Sequence, residues 1–242
     1  MRLESYAQEL EDVLIYSILR DIPNGFYIDV GANDPTNISV TKFFYDRGWH
    51  GINIEPLKVR CLLLEEMRPR DINLCVGLGN QKGKLPLFAG DTEDFMDGTS
   101  TFSDEIAKSV NLENNRSQDL TNILTLTDIF HRYCNPRQQI HFCKIDVEGY
   151  EKEVLEGVSD WNEFRPWMFV MESTLPMTTI PCHDQWENIL EDNDYLFAFQ
   201  QGINRYYIDK QKGHLMQRVE EISSFLGQYE IGIMRMQLIR IQ

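Results

Sequence analysis

Apolar positions along this chain follow two periods in turn. Residues 6–20, YAQELEDVLIYSILR, put Leu10, Val13, Leu14, Ile18 and Leu19 at helical spacing. Pro23 and Gly25 then break the pattern. FYIDV at 26–30 is a short apolar run rich in β formers and closed by Gly31, which reads as a buried strand. Residues 39–48 have helical character, GINIE at 51–55 reads as a second strand, 57–67 as a second helix and INLCV at 72–76 as a third strand. Strands alternating with helices predict an α/β fold with a parallel, doubly wound sheet.

The middle departs from this rhythm. Residues 77–126 are rich in glycine, aspartate and serine, which predicts a hairpin followed by a mobile loop, about 90–118, acting as a lid over the sheet edge. The alternation then resumes. Residues 127–133 read as a helix with Thr127 as a candidate N-cap, HFCKIDV at 141–147 as a strand and 148–157 as a helix ending on Gly157. PWMFVMES at 166–173 reads as a strand and 184–193 as a helix. Residues 195–200 and 204–209, joined through Gln201-Gly202, read as a closing antiparallel hairpin. One domain spans residues 1–242: an N-terminal helix in 1–22, an insertion at 77–126 and an extension at 210–242, with Ile231–Ile241 as a last strand or helix.

Composition narrows the partners. The net charge is −15, and an acidic surface repels phosphate backbones, so nucleic acid is not an expected partner. No run of about 20 apolar residues spans a membrane, and no signal peptide is visible. The five cysteines form no C-x-x-C pair, which points to reduced, buried thiols and a cytoplasmic protein. The oligomeric state is open, a homodimer included.

The candidate chemistry lies at strand ends, where open α/β sheets bind ligands. In FYIDVGAND, Gly31 allows a tight turn close to a ligand, Asp29 can accept from an ammonium or hydroxyl, and Asp34 can cap the next helix with Pro35 near its first position. Glu55 ends the second strand, where an acid can hold both hydroxyls of a ribose. A dinucleotide fold wants G-x-G-x-x-G to cradle pyrophosphate; one glycine beside carboxylates suits a cationic cofactor without phosphate, S-adenosylmethionine. Asp146 and Glu148 in KIDVEG, and Glu172 in FVMES, bring further acids to the same edge, fit to orient or deprotonate a hydroxyl. That cluster can also bind Mg²⁺ or Mn²⁺. His183 is a candidate base, and no histidine pair has metal-ligand spacing.

These segments resemble the FkbM family of S-adenosylmethionine-dependent methyltransferases. The likeness covers roughly 6–209 and rests on YAQELEDVLI, FYIDVGAND with Ser39 and Thr41, GWHGINIEP, KIDVEGYEKEVLEG, and the later E-S-x-L-P and NRYY. The chain departs from the family's pattern at Pro35, where glycine is common, and at Gln201-Gly202, where Asp-Gly is common. The resemblance implies a Rossmann-like class I methyltransferase with seven strands, mostly parallel, the last antiparallel. It implies O-methylation, commonly of sugars or glycans and sometimes of secondary metabolites. It assigns Asp29, Gly31, Asn33 and Glu55 to the cofactor and places Asp146 and Glu148 beside the sulfonium and the acceptor. Ser39 and Val76 complete the expected cofactor set, with Asp146, Glu148, Glu172 and His183 as catalytic candidates. A nucleotide sugar or surface-glycan precursor is the expected acceptor. The rivals are a nicotinamide-dependent sugar oxidoreductase, lacking its glycine turn and Tyr-x-x-x-Lys pair here, a small-metabolite methyltransferase and a non-catalytic binding module.

Overall fold

A computed structural model describes residues 4–90 and 100–222. The first half contains α1 (Glu11–Ile18), β1 (Phe26–Val30), α2 (Lys42–Tyr45), β2 (His50–Ile54), α3 (Lys58–Met67) and β3 (Ile72–Leu74). The insertion contains β4 (Gly77–Leu78), β5 (Gly83–Ala89), β6 (Ser100–Thr101), α4 (Asp104–Ser109) and β7 (Arg116–Leu124). Then come α5 (Leu126–Tyr133), β8 (Phe142–Ile145), α6 (Glu151–Glu156), β9 (Met168–Glu172), α7 (Glu187–Glu191), β10 (Tyr195–Gln201) and β11 (Asn204–Asp209).

Seven strands form one sheet in the order β10-β11-β9-β8-β1-β2-β3. The pairs among β9, β8, β1, β2 and β3 are parallel, and β11 runs antiparallel to both its neighbours. The chain winds outward through β2 and β3, then restarts beside β1 with β8. The β1/β8 junction is therefore the point where strand order reverses, and a crevice opens beyond the strand ends there. Register sets Asp29 opposite Lys144 and Val30 opposite Ile145.

Both faces of the sheet are covered, which is why its strands read as unbroken apolar runs. Phe26, Ile28 and Val30 pack with Ile145, Met171 and Leu155 on one face. Tyr27, Phe142, Val170 and Tyr206 pack with Phe43, Phe44 and Ile15 on the other. Each such fully buried side chain contributes about 1.5–3 kcal/mol relative to exposure. Leu215 and Val219 join this second layer, so the described part of the 210–242 extension packs onto the sheet. Among the described residues, no helix is long and apolar enough to cross a membrane.

Several expectations need correction. The insertion holds a second, four-stranded sheet, order β4-β7-β5-β6, where one hairpin followed by a loop was expected. Long pairing of β5 with β7 builds it, and α4 sits within the stretch expected as a lid. Residues 91–99 of that expected lid, and the apolar stretch 231–241, lie outside the described residues. The first helix is shorter than 6–20, because Asp12 turns back to accept from Tyr6 N and Ser5 Oγ and so holds the preceding segment out of the helix. Thr125, not Thr127, caps α5, in a reciprocal capping box with Asp128. Asp34 caps no helix: its Oδ1 accepts from Thr36 N, Thr36 Oγ1 and Asn37 N in a local turn, and α2 starts only at Lys42. The helix expected at 148–157 starts late because Glu148 (φ 53°) and Gly149 (φ 85°) adopt left-handed backbone.

Candidate functional site

The turn after β1 is pinned to β2. Gly31 N and Ala32 N both donate to Ile54 O, at 3.0 and 3.2 Å. Gly31 has φ 77°, and a Cβ there would lie 1.8 Å from Asp146 O. Glycine is required on both counts. Asn33, at φ 48°, donates its N–H to Glu55 Oε2 at 2.8 Å, while Leu57 N donates to Glu55 Oε1 at 2.8 Å. Glu55 is thus a buried carboxylate with each oxygen already oriented by one backbone donor. Its burial pushes the carboxyl up to about 7, against the pull of those two hydrogen bonds.

Beneath this turn lies Lys144, which sequence reasoning missed. Its Nζ donates to Gly31 O at 3.2 Å and lies 3.2 Å from Asp146 Oδ2 and 3.5 Å from Asp29 Oδ1. Burial alone would lower the ammonium's pKa; Asp146 and Asp29 outweigh it and hold the group above its ordinary value. Asp29 itself is buried, and its Oδ2 accepts from Thr41 Oγ1 at 2.7 Å.

Arginines secure the loop beyond the turn. Arg60 pairs with Asp34 at 2.9 Å, and Arg68 donates to Pro35 O and to Ser39 Oγ. Across the crevice, Asp146 follows β8, Glu148 occupies the turn to α6 and Glu172 ends β9. One carboxylate oxygen from each lies within 4.8 Å of the other two. Burial first, then the like charges of Asp146, Glu148 and Glu151, push the Glu172 carboxyl well above the usual carboxylate range. Glu151 holds the turn between them by accepting from Val147 N and Gly149 N.

A cavity of about 910 Å³ lies over these groups, within the size range of cofactor sites. Gly31, Asn33, Glu55, Val76, Asp146 and Glu148 line it. Asp29, Ser39 and Glu172 do not; Asp29 and Glu172 meet the wall through Lys144 and Asp146, and Ser39 N donates to the carbonyl of Tyr6, which lines it. His183 is not brought to the cavity. It lies 3.9 Å from Glu187, which is held in turn by Arg205 and Tyr207. Further wall residues were not among the expected site residues: Tyr6 and Gln8 from the N-terminal segment, Phe102 from the stretch expected as a lid, and exposed Met177.

The cysteines require another correction. Cys61 and Cys75 form a disulfide that ties α3 to the residue beside Val76, so the five thiols are not all free. Their 14-residue separation matches no motif; the β-α-β packing of β2, α3 and β3 brings them together. Cys143 and Cys182 are free and buried, and Cys134 is free and half-buried.

Comparison with known proteins gives the family. Residues 29–197 match the methyltransferase FkbM domain. A crystal structure of methyltransferase FkbM from Methylobacillus flagellatus KT superposes with a TM-score of 0.48 at 14% identity, covering 76% of this chain. The chain spans 44% of that protein's length. No curated protein matches the chain.

Proposed function

The chain belongs to the FkbM methyltransferase family, and from that premise we propose that it methylates a hydroxyl oxygen of a sugar, with S-adenosylmethionine as methyl donor. A nucleotide sugar or surface-glycan precursor is the acceptor class, and we read the sheet order as the class I methyltransferase arrangement. Membership of a methyltransferase family displaces the nicotinamide oxidoreductase reading.

The observation that carries this is Glu55. Its two oxygens, each fixed by a backbone N–H, keep a second acceptor lone pair for a pair of vicinal hydroxyls. Gly31 and Asn33 form the adjoining wall, and no glycine-rich pyrophosphate cradle adjoins it. The donor supplies an activated methyl carbon: the acceptor oxygen bonds to it as the carbon–sulfur bond breaks, leaving a neutral thioether, and the hydroxyl proton passes to a base. What the protein adds is alignment and exclusion of water. Lys144 holds Asp146 at the cavity wall, and Asp146 or Glu148 receives the proton, a contribution of roughly 10²–10⁴-fold. Asp146 and Glu148, acids on the cavity wall, suit a hydroxyl-rich acceptor.

Calorimetry with S-adenosylhomocysteine against NAD⁺ tests the cofactor, and methyl transfer over a panel of nucleotide sugars tests the acceptor. Binding of S-adenosylhomocysteine alone is expected. Asp146→Asn should keep the fold and cofactor binding and lose turnover. Preference for NAD⁺ would defeat the assignment, and near-normal turnover in Asp146→Asn would remove it as base.

A further inference from the structure

The carboxylates around the cavity differ in how they are partnered. Around the turn, both Glu55 oxygens and both Asp34 oxygens meet donors, while buried Asp29 Oδ1 has only the Lys144 ammonium, 3.5 Å away. Asp146 has Lys144 at 3.2 Å, a cation already shared with Asp29 and the Gly31 carbonyl. Glu172 is 5% exposed, and its Oε2 accepts no hydrogen bond among the described residues. Buried polar atoms are normally partnered, so an orphaned carboxylate oxygen inside a protein calls for a proton shared with a neighbouring acid, here Asp146, or for a cation. Glu172 belongs to the group in which Asp146, Glu148 and Glu172 each bring one oxygen within 4.8 Å of the others.

We propose that Asp146, Glu148 and Glu172 hold one hard divalent cation, of the Mg²⁺ and Mn²⁺ class. Three features point to this ligand. All three donors are carboxylate oxygens, with no imidazole or thiolate among them, which selects hard ions over zinc or copper. The three oxygens lie within 4.8 Å of one another, so small side-chain rotations bring them onto one ion, whose ligand oxygens stand at most about 4.2 Å apart. The side chain of Asp146 is 32% exposed and faces the cavity, so the site is reachable and keeps positions open for water or a further oxygen. Ions of this class retain such open positions when few protein ligands are present. The cation neutralises like charges that now face one another and satisfies Glu172 Oε2. What it would do in turnover rests on the methyltransferase reading: its open positions hold neighbouring acceptor oxygens beside the methyl donor. The site itself does not depend on that reading.

The test uses the whole chain, stripped with EDTA and titrated with MnCl₂ while free Mn²⁺ is followed by electron paramagnetic resonance. One Mn²⁺ per chain is expected, displaced by Mg²⁺. The near-isosteric variants Glu172→Gln and Asp146→Asn should each weaken it at least tenfold, with circular dichroism unchanged. Glu65→Gln, beside the disulfide, should leave it intact. Anomalous scattering from crystals soaked in MnCl₂ needs no variant and should place the ion between the three carboxylates. Wild-type protein that leaves all Mn²⁺ free at millimolar concentration overturns the proposal, because a proton shared among the acids then suffices. An anomalous peak elsewhere, or equal binding by wild type and both variants, overturns it too. S-adenosylhomocysteine calorimetry on the same samples reports the cofactor site separately, so failure of the metal site and failure of the methyltransferase reading are told apart.

Discussion

Glu55→Gln is the sharpest perturbation of the cofactor end. In the wild type, Asn33 N and Leu57 N each donate to one carboxylate oxygen at 2.8 Å. Glutamine keeps one acceptor and turns an NH₂ toward the other backbone N–H. That donor is left facing a donor, at about 1–3 kcal/mol for a buried unsatisfied group. One ribose hydroxyl also loses a charged acceptor, worth about 1.5–3 kcal/mol, so affinity for S-adenosylhomocysteine should fall roughly 10- to 150-fold. The pH dependence carries a second signature. Burial raises the Glu55 carboxyl from 4.5 to about 7, so between those values the folded state holds a proton that the unfolded state has released. Wild-type stability therefore falls as pH rises through that window, by up to roughly 3 kcal/mol at about 1.4 kcal/mol per pKa unit. The variant lacks this slope: its deficit is largest below the window and shrinks as pH approaches 8. Ligand affinity runs the opposite way in the wild type, rising through about pH 7 as the carboxylate forms. Calorimetry at pH 6 and 8, with thermal melts across pH 4.5–8, reads both. A variant within threefold of wild type at pH 8, with a native circular dichroism spectrum, would refute the ribose role.

Three further outcomes test the frame around the site. Gly31→Ala combines a φ of 77° with a Cβ 1.8 Å from Asp146 O, so S-adenosylhomocysteine binding should be lost and the melting temperature lowered; unchanged affinity would show that the turn adapts. Lys144→Met strips the cation from between Asp29 and Asp146, and removing one partner of a buried pair costs about 3–5 kcal/mol. Urea unfolding should show that loss, and wild-type stability would mean the acids stay solvated or protonated without it. Cys75→Ser opens a loop that spans 14 residues, worth about 3 kcal/mol by loop closure, and dithiothreitol should lower the wild-type melting temperature but not the variant's. Equal responses to the reductant would refute the disulfide's contribution.

The sequence disclosed the parts whose signal is local. Parallel strands buried on both faces are continuous apolar runs, so FYIDV, GINIE, FCKI and MFVME could each be recognised, and strand ends located Asp29, Glu55, Asp146 and Glu172. Pairing over distance left no such mark. The second sheet depends on β5 meeting β7 at sequence separations from 28 (Phe88 with Arg116) to 40 (Gly83 with Ile123). Lys144 looked like an ordinary strand residue, because its meaning comes from register with Asp29 on the neighbouring strand. His183 had the right residue type near Glu172 in sequence, yet the turn into α7 sends it to Glu187. Cysteines 14 positions apart carry no motif, and only the packing of α3 beside β3 pairs them.

On the function proposed above, the partnering of the acids lets one sheet edge serve two substrates. Asp29 is held by Thr41 and Lys144, Asp34 by Arg60 and its own turn, and Glu55 by two backbone donors. Apart from Asp29 Oδ1, these groups are fixed before any ligand arrives, which suits binding the same methyl donor afresh at every turnover on the function proposed above. Preorganised partners avoid an ordering cost at each binding event. Glu172 has the opposite character: it is buried among like charges with an oxygen unclaimed. A site that stays unsatisfied until something enters spends its interaction energy on the entering group, and so discriminates among candidates by whether they complete it. Selectivity for the acceptor should therefore respond to changes at Asp146, Glu148 and Glu172 and stay nearly indifferent to changes at Asp34 or Glu55. Those should alter affinity for the methyl donor while leaving the ranking of acceptors untouched.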